Sequence, residues 1–127
     1  MSLLAEYYPQ MTREAMRNMK AKTDEKNRIA QVNQFVSEIY RNATEAAKTK
    51  DTTFYGYPVD GKDAFIIKNL PDIIQGLQSI FSDCSVDYKM MAQSIRGQLY
   101  DVSKMDPTSL SLIGNTRLQE SIMIDWS

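Results

Sequence analysis

The chain has 127 residues, of which 43% are hydrophobic and 24% are charged, and its formal net charge is -1. This length suits one domain, and this composition argues against an intrinsically disordered chain. No stretch is apolar enough for a membrane span or a signal peptide, and the single cysteine, Cys84, excludes an internal disulfide. We therefore expect an intracellular, cytoplasmic protein with no membrane partner.

Charge is unevenly divided along the chain. Residues 1–50 hold nine basic and six acidic residues, whereas residues 51–127 hold six basic and ten acidic ones. We interpret residues 1–50 as a helical arm and residues 51–127 as an α+β body, the two forming one compact domain. Their opposite net charges allow the parts to attract each other or different partners.

A long helix is predicted from Met11 to about Lys50, because this segment has neither Gly nor Pro and is rich in good helix formers. Apolar residues recur along it every three or four positions, which is the spacing of one helix face. The members of this seam are Ile29, Val32, Val36, Ile39, Ala43 and Ala46. The seam is polar near Lys22, where Thr23 or Asp24 could cap a second helix. The sequence is therefore compatible with one helix bent at this point or with two separate helices.

Short strands are predicted after Thr52. Residues 53–57 and 64–67 are aromatic and β-branched, and the Asp60-Gly61 pair between them predicts a hairpin. Asn69 and Pro71 then predict the start of a helix over 69–83.

Three further strands are predicted in the rest of the chain. Residues 86–90 and 99–102 favour a second hairpin with its turn near Arg96-Gly97, and residues 121–126 alternate like a strand. A short helical turn is predicted from Asp106-Pro107 to about Gly114. The predicted order is α-β-β-α-β-β-β, an α+β fold with a small mixed sheet of about five strands and one packed helix.

Catalytic signals are weak in this sequence. It has no histidine, which removes the commonest general base and metal ligand. Cys84 lies close to Asp83 and Asp87, which oppose thiolate formation, and the glycines form no phosphate-binding loop. We predict no catalytic residue, cofactor, metal site or small-molecule ligand. A metal-dependent enzyme built on carboxylates is kept as a second alternative.

The seam has two interpretations. It can dock onto the sheet, or it can pack against a partner or a second copy as in a coiled coil. We predict the second, which makes the chain a non-catalytic structural, assembly or adaptor protein acting through helix-mediated association. The predicted interface residues are Ile29, Val32, Val36, Ile39 and Ala43.

The first part of the helix offers an alternative function. Arg13, Arg17 and Lys20 are spaced to lie on one face and could contact the phosphates of a nucleic acid. The acidic residues interleaved with them favour a helix face that is exposed to solvent and binds no nucleic acid. The methionines of this segment and the Met90-Met91 pair are interpreted as core filling rather than as an adaptable binding surface.

Three segments resemble short proteins of nucleocytoplasmic large DNA viruses. They are Phe81-Ser82-Asp83-Cys84-Ser85-Val86, Leu99-Tyr100-Asp101-Val102-Ser103 and Ile122-Met123-Ile124-Asp125-Trp126-Ser127. The resemblance covers the second half of the chain and implies a virion component or a setting in the host cytoplasm.

Overall fold

The computed structural model describes residues 7–93, 99–108 and 117–127. Its described elements confirm the predicted α+β class, with a long N-terminal helix before a sheet and a packed helix. In chain order they are α1 (Arg13–Thr49), β1 (Phe54–Pro58), α2 (Ala64–Lys68), α3 (Leu70–Ile80), β2 (Ser85–Gln93), β3 (Leu99–Asp101), a 3-10 turn (Val102–Lys104) and β4 (Arg117–Asp125).

Helix α1 is continuous over its 37 residues. Thr12 starts it, because its hydroxyl oxygen accepts a hydrogen bond from the Ala15 amide at 3.0 Å. The helix passes through residues 22–24 without a second cap, so the alternative of two helices is wrong. Good helix formers sustain the backbone hydrogen bonds even where the seam turns polar.

The sheet has four described strands in the order β1-β4-β2-β3, and every neighbouring pair is antiparallel. The prediction of a mixed sheet of about five strands is therefore corrected. The predicted pairing of the second hairpin is confirmed by β2 and β3, and the predicted C-terminal strand is confirmed by β4. The turn near Arg96-Gly97 and the predicted end near Gly114 lie outside the described residues.

The predicted first hairpin is wrong, because residues 64–67 are helical. Asp60 forms a turn by accepting a bond from the Lys62 amide at 2.9 Å, and the Asp63 side chain then caps α2 by accepting from the Ile66 amide at 3.2 Å. A run of four apolar residues is too short to show the periodicity of a strand or of a helix. The Asp63 cap favours the helix here. Strand β1 pairs instead with β4, the last strand of the chain.

One face of the sheet carries the hydrophobic core. Ile122 and Ile124 of β4 are fully buried there, as are Ile73 and Leu77 of α3 and Ile39 of α1. The alternation of β4 sends Ile122 and Ile124 into this core. The other face of the sheet is described below as the open face.

Backbone contacts divide the chain into two compact units. We call Met1–Gln31 the N-terminal unit and Val32–Ser127 the sheet unit. Their boundary falls inside α1 and not at residue 50, where the sequence placed the end of the arm. Residues 32–49 of α1 therefore belong with the sheet.

Candidate functional site

The predicted helical interface is mostly core. Val32 and Val36 are 7% exposed, Ala43 is 1% exposed and Ile39 is completely buried. They join one hydrophobic cluster with residues of α2, α3 and the sheet, so these four side chains are covered by their own unit and cannot meet a partner. Only Ile29, at 47% exposure, remains accessible. From Val32 onward the seam therefore packs against the rest of its own unit, which was the alternative interpretation of the sequence.

Close contact between helices explains how this part of α1 is held. A methyl group at Gly76 of α3 would lie 3.1 Å from Cγ2 of Val36, so the absence of a side chain at Gly76 allows the approach. Phe35 of α1 also stacks on Phe65 of α2, with ring centroids 5.8 Å apart. Gly76 lies within a helix, and this unusual position is the sequence signal for a close approach.

The N-terminal unit has a different surface. Every described residue from Tyr7 to Gln31 is exposed, apart from Ala15 and Arg28, which are half-buried. The chain has twelve described large apolar side chains that are exposed, and six of them lie in this short region. They are Tyr7 at 78%, Tyr8 at 68%, Met11 at 52%, Met16 at 56%, Met19 at 41% and Ile29 at 47%.

The interpretation of the N-terminal methionines as core filling is therefore wrong. Met11, Met16 and Met19 are exposed, and Met90 is also 39% exposed, whereas Met91 is buried. The sequence signal that could have identified them is the register of α1. Met16 and Met19 lie on the side of the helix opposite the seam, where no apolar stripe continues.

Arg13, Arg17 and Lys20 are all exposed on α1. Their spacing of four and three places them on one side of the helix, next to Met16. The N-terminal unit holds six basic and four acidic residues in all, so its net charge is +2, and that of the sheet unit is -3. Further along, Arg28 bonds both carboxylate oxygens of Glu25 at 2.7 and 2.9 Å, and this hydrogen bond lowers the pKa of Glu25.

The open face of the sheet forms a hollow of about 240 Å³. The sheet curls enough that Leu99 of β3 comes close to Gly56 of β1, although these strands are the two edges. A methyl group at Gly56 would lie 3.7 Å from Cδ1 of Leu99. The lining residues come from all four strands and the 3-10 turn: Phe54, Ser85, Asp87, Lys89, Met91, Leu99, Asp101, Lys104, Met123 and Asp125.

An ion pair lies within the hollow. Nζ of Lys89 lies 3.0 Å from Oδ2 of Asp101 and 3.9 Å from Oδ2 of Asp87. Oδ2 of Asp101 is buried and accepts no hydrogen bond of good geometry from the described residues, so the nearby ammonium is what balances its charge. The Asp101 carboxylate raises the pKa of Lys89 more than burial lowers it.

The carboxylates of the hollow are also held by local bonds. Burial raises the pKa of Asp101, but hydrogen bonds from Ser103 and the ion pair with Lys89 outweigh it and leave that pKa lowered. The Ser127 amide donates to Oδ1 of Asp125 at 2.8 Å, and hydrogen bonding from Ser127 lowers the pKa of Asp125. Asp101 and Asp125 therefore keep their charge down to more acidic pH than usual.

Among the described residues, no group of three or more carboxylate or thiol side chains could hold a metal ion. Cys84 is half-buried and packs against the core. Within the same part of the chain, no helix is long and apolar enough to cross a membrane. The absence of a catalytic residue or cofactor stays a prediction.

No family model, curated protein or solved structure matches this chain. The case for a function therefore depends on the surfaces described above.

Proposed function

We propose that this chain is a non-catalytic assembly protein that binds a partner protein through the first half of α1. The observation that carries the proposal is the concentration of exposed apolar side chains between Tyr7 and Ile29. Methionine, tyrosine and arginine are enriched at protein interfaces, and all three are exposed in this region. The association is the one predicted from sequence, but of the predicted interface residues only Ile29 lies in this exposed region.

Met16 and Met19 are the centre of the proposed contact. They lie one turn apart on the same side of α1 and are 56% and 41% exposed. Thioether side chains adapt to irregular surfaces, and the neighbouring row of Arg13, Arg17 and Lys20 adds attraction to an acidic partner. A helix that presents apolar anchors beside cations suits a groove with acidic edges.

The partner that we propose is a second copy of the chain. The N-terminal unit has a net charge of +2 and the sheet unit one of -3, so unlike units of two copies attract whereas like units repel. This arrangement is head-to-tail rather than symmetric about a twofold axis. The virion setting implied by the sequence resemblance is compatible with such an assembly and stays a prediction.

Sedimentation velocity of the full chain over a range of concentrations tests this proposal. We expect a mass that grows with concentration and falls with added salt. Met16→Glu with Met19→Glu should return the chain to a monomer, because two carboxylates replace the apolar centre. Asn18→Glu with Ala21→Glu is the matched control, since these exposed residues have the same spacing on roughly the opposite side of α1.

Two results would contradict self-association. One is a monomer at every concentration of the unmodified chain. The other is an equal loss of association in both double variants. That result would show that the added negative charge weakens association wherever it is placed on α1. Circular dichroism of each variant establishes that α1 is still helical.

Nucleic-acid binding is the second candidate function, and the exposure of Arg13, Arg17 and Lys20 on one side of α1 favours it. Binding to a random-sequence duplex should weaken steeply with salt, and reversing these three charges should abolish it. Reversal of Lys62, Lys68 and Lys104 in the sheet unit is the charge-matched control. Binding that survives the first reversal would exclude this site.

A further inference from the structure

We infer that Met16 and Met19 are a site of reversible oxidation, at which a peroxide converts both thioethers to sulfoxides and so dissociates the assembly. This inference rests on the proposed function and adds a means of regulating it. Exposure sets the two residues apart from the methionines of the sheet. Met16 and Met19 are 56% and 41% exposed, whereas Met91 and Met123 are 5% and 7% exposed.

The reaction at each sulfur is a two-electron oxidation. A sulfur lone pair attacks one oxygen of hydrogen peroxide and the O–O bond breaks. The transferred oxygen gives its proton to the departing hydroxide, which leaves as water. The product is a sulfoxide, which replaces a flexible apolar side chain by a polar one. Methionine sulfoxide reductases reverse the change, and their thiols supply the two electrons by forming a disulfide.

Access to sulfur distinguishes the two groups of methionines. The Met123 sulfur is packed against the backbone of β1, because a methyl group at Gly56 would lie only 2.9 Å from it. The exposed side chains of Met16 and Met19 meet solvent in the single chain. In the assembly the proposed contact covers them, so a peroxide reacts with the dissociated chain and draws the equilibrium toward it.

The charged neighbours of Met16 suit its oxidised form. Arg13 and Lys20 are exposed three residues before and four residues after Met16, on the same side of α1, and Lys22 has a similar position relative to Met19. A sulfoxide oxygen accepts hydrogen bonds, and these side chains are charged donors. Bonds formed within the helix would compete with the contacts of the same cations to an acidic partner. Oxidation therefore weakens both the apolar and the charged part of the proposed contact.

Peptide mass spectrometry of the full chain after treatment with hydrogen peroxide tests the selectivity. We expect Met16 and Met19 to gain an oxygen about tenfold faster than Met123, because only the first two sulfurs are accessible. Their oxidation should also slow as the concentration of the chain rises and association covers them. Equal rates at Met16, Met19 and Met123 would overturn the inference.

Sedimentation velocity before and after peroxide tests the effect on assembly. Oxidation should raise the dissociation constant about tenfold, and reductase treatment should restore the original value. A chain that never associates would contradict the proposed function itself. An unmodified chain that associates, and still does so equally well with both sulfurs oxidised, would overturn this inference alone.

Leucine variants locate the effect. Met16→Leu with Met19→Leu keeps two apolar side chains but removes both sulfurs, so this variant should associate and stay associated in peroxide. Met90→Leu is the matched control and should stay sensitive, since Met90 is 39% exposed in the sheet unit. Sensitivity that persists in the double variant, or that disappears in Met90→Leu, would overturn the assignment. Circular dichroism establishes that each variant is folded.

Discussion

The two halves of α1 form one continuous helix but have opposite surfaces. Residues 32–49 place five side chains in the core, whereas described residues up to Gln31 are almost all exposed. The same helix face runs through both halves with steps of three and four. In the second half that face is Val32, Val36, Ile39, Ala43 and Ala46, and in the first half it is Glu14, Asn18, Ala21, Glu25 and Arg28.

This difference shows that helical continuity and burial are separate properties. Backbone hydrogen bonds and helix-forming residues carry α1 through both halves, but only the second half has apolar residues in the register of the core. The apolar residues of the first half lie mostly on another side of the helix. Binding is therefore expected from the first half and stability from the second.

The largest expected effect compares two isoleucines of the same helix. Ile39 is completely buried and Ile29 is 47% exposed. Ile39→Ala should lower the free energy of unfolding by about 2–5 kcal/mol, because it removes buried methyl groups and leaves a cavity. Ile29→Ala should change it by less than about 1 kcal/mol. Urea unfolding measures both, and similar losses would contradict the division of α1.

Alkaline pH should weaken the sheet unit. Burial, followed by the hydrogen bond to Glu120, raises the pKa of Tyr88 from 10.0 to about 12. Burial also raises the pKa of Tyr55 and, together with the charge of Glu38 on α1, that of Tyr57. A raised folded-state pKa means that the neutral phenol stabilises the fold fully below pH 10, and that this stabilisation is lost as pH rises toward 12.

Urea unfolding at a series of alkaline pH values measures this loss. Tyr88→Phe should flatten the dependence, because no phenol remains there to ionise. Tyr7→Phe, in the exposed part of the N-terminal unit, is the matched control and should leave the dependence unchanged. An unaltered slope in Tyr88→Phe would show that Tyr88 does not contribute.

The smallest expected effect tests the contact between α1 and α3. Gly76→Ala should gain up to about 1 kcal/mol of helix stability. In the unmodified chain, steric crowding offsets this gain, because the new methyl group would lie 3.1 Å from Cγ2 of Val36. The Val36→Ala variant lacks the methyl groups that would meet the new one at residue 76. In that variant, Gly76→Ala should therefore raise the free energy of unfolding. Equal effects in the two backgrounds, in a double-mutant cycle by urea unfolding, would contradict the close approach.

The accuracy of the sequence predictions depended on the range of the interactions involved. The helix over 69–83 was predicted from Asn69 and Pro71, which act locally, and α3 occupies Leu70–Ile80. The strand at 64–67 was wrong because Asp60 and Asp63 have turn and capping roles that outweigh a short apolar run. The interface at Val32 to Ala43 was wrong because periodicity marks an apolar face without showing what covers it.

The sequence by itself determined the helix, its apolar seam, the charge difference and most strand positions, because each depends on residues a few positions apart. Only the tertiary structure decided that β4 lies between β1 and β2, that α3 and the sheet cover the seam from Val32 onward, and that the open face forms a hollow. These features join residues far apart in the chain, and local periodicity and capping carry no information about such pairings.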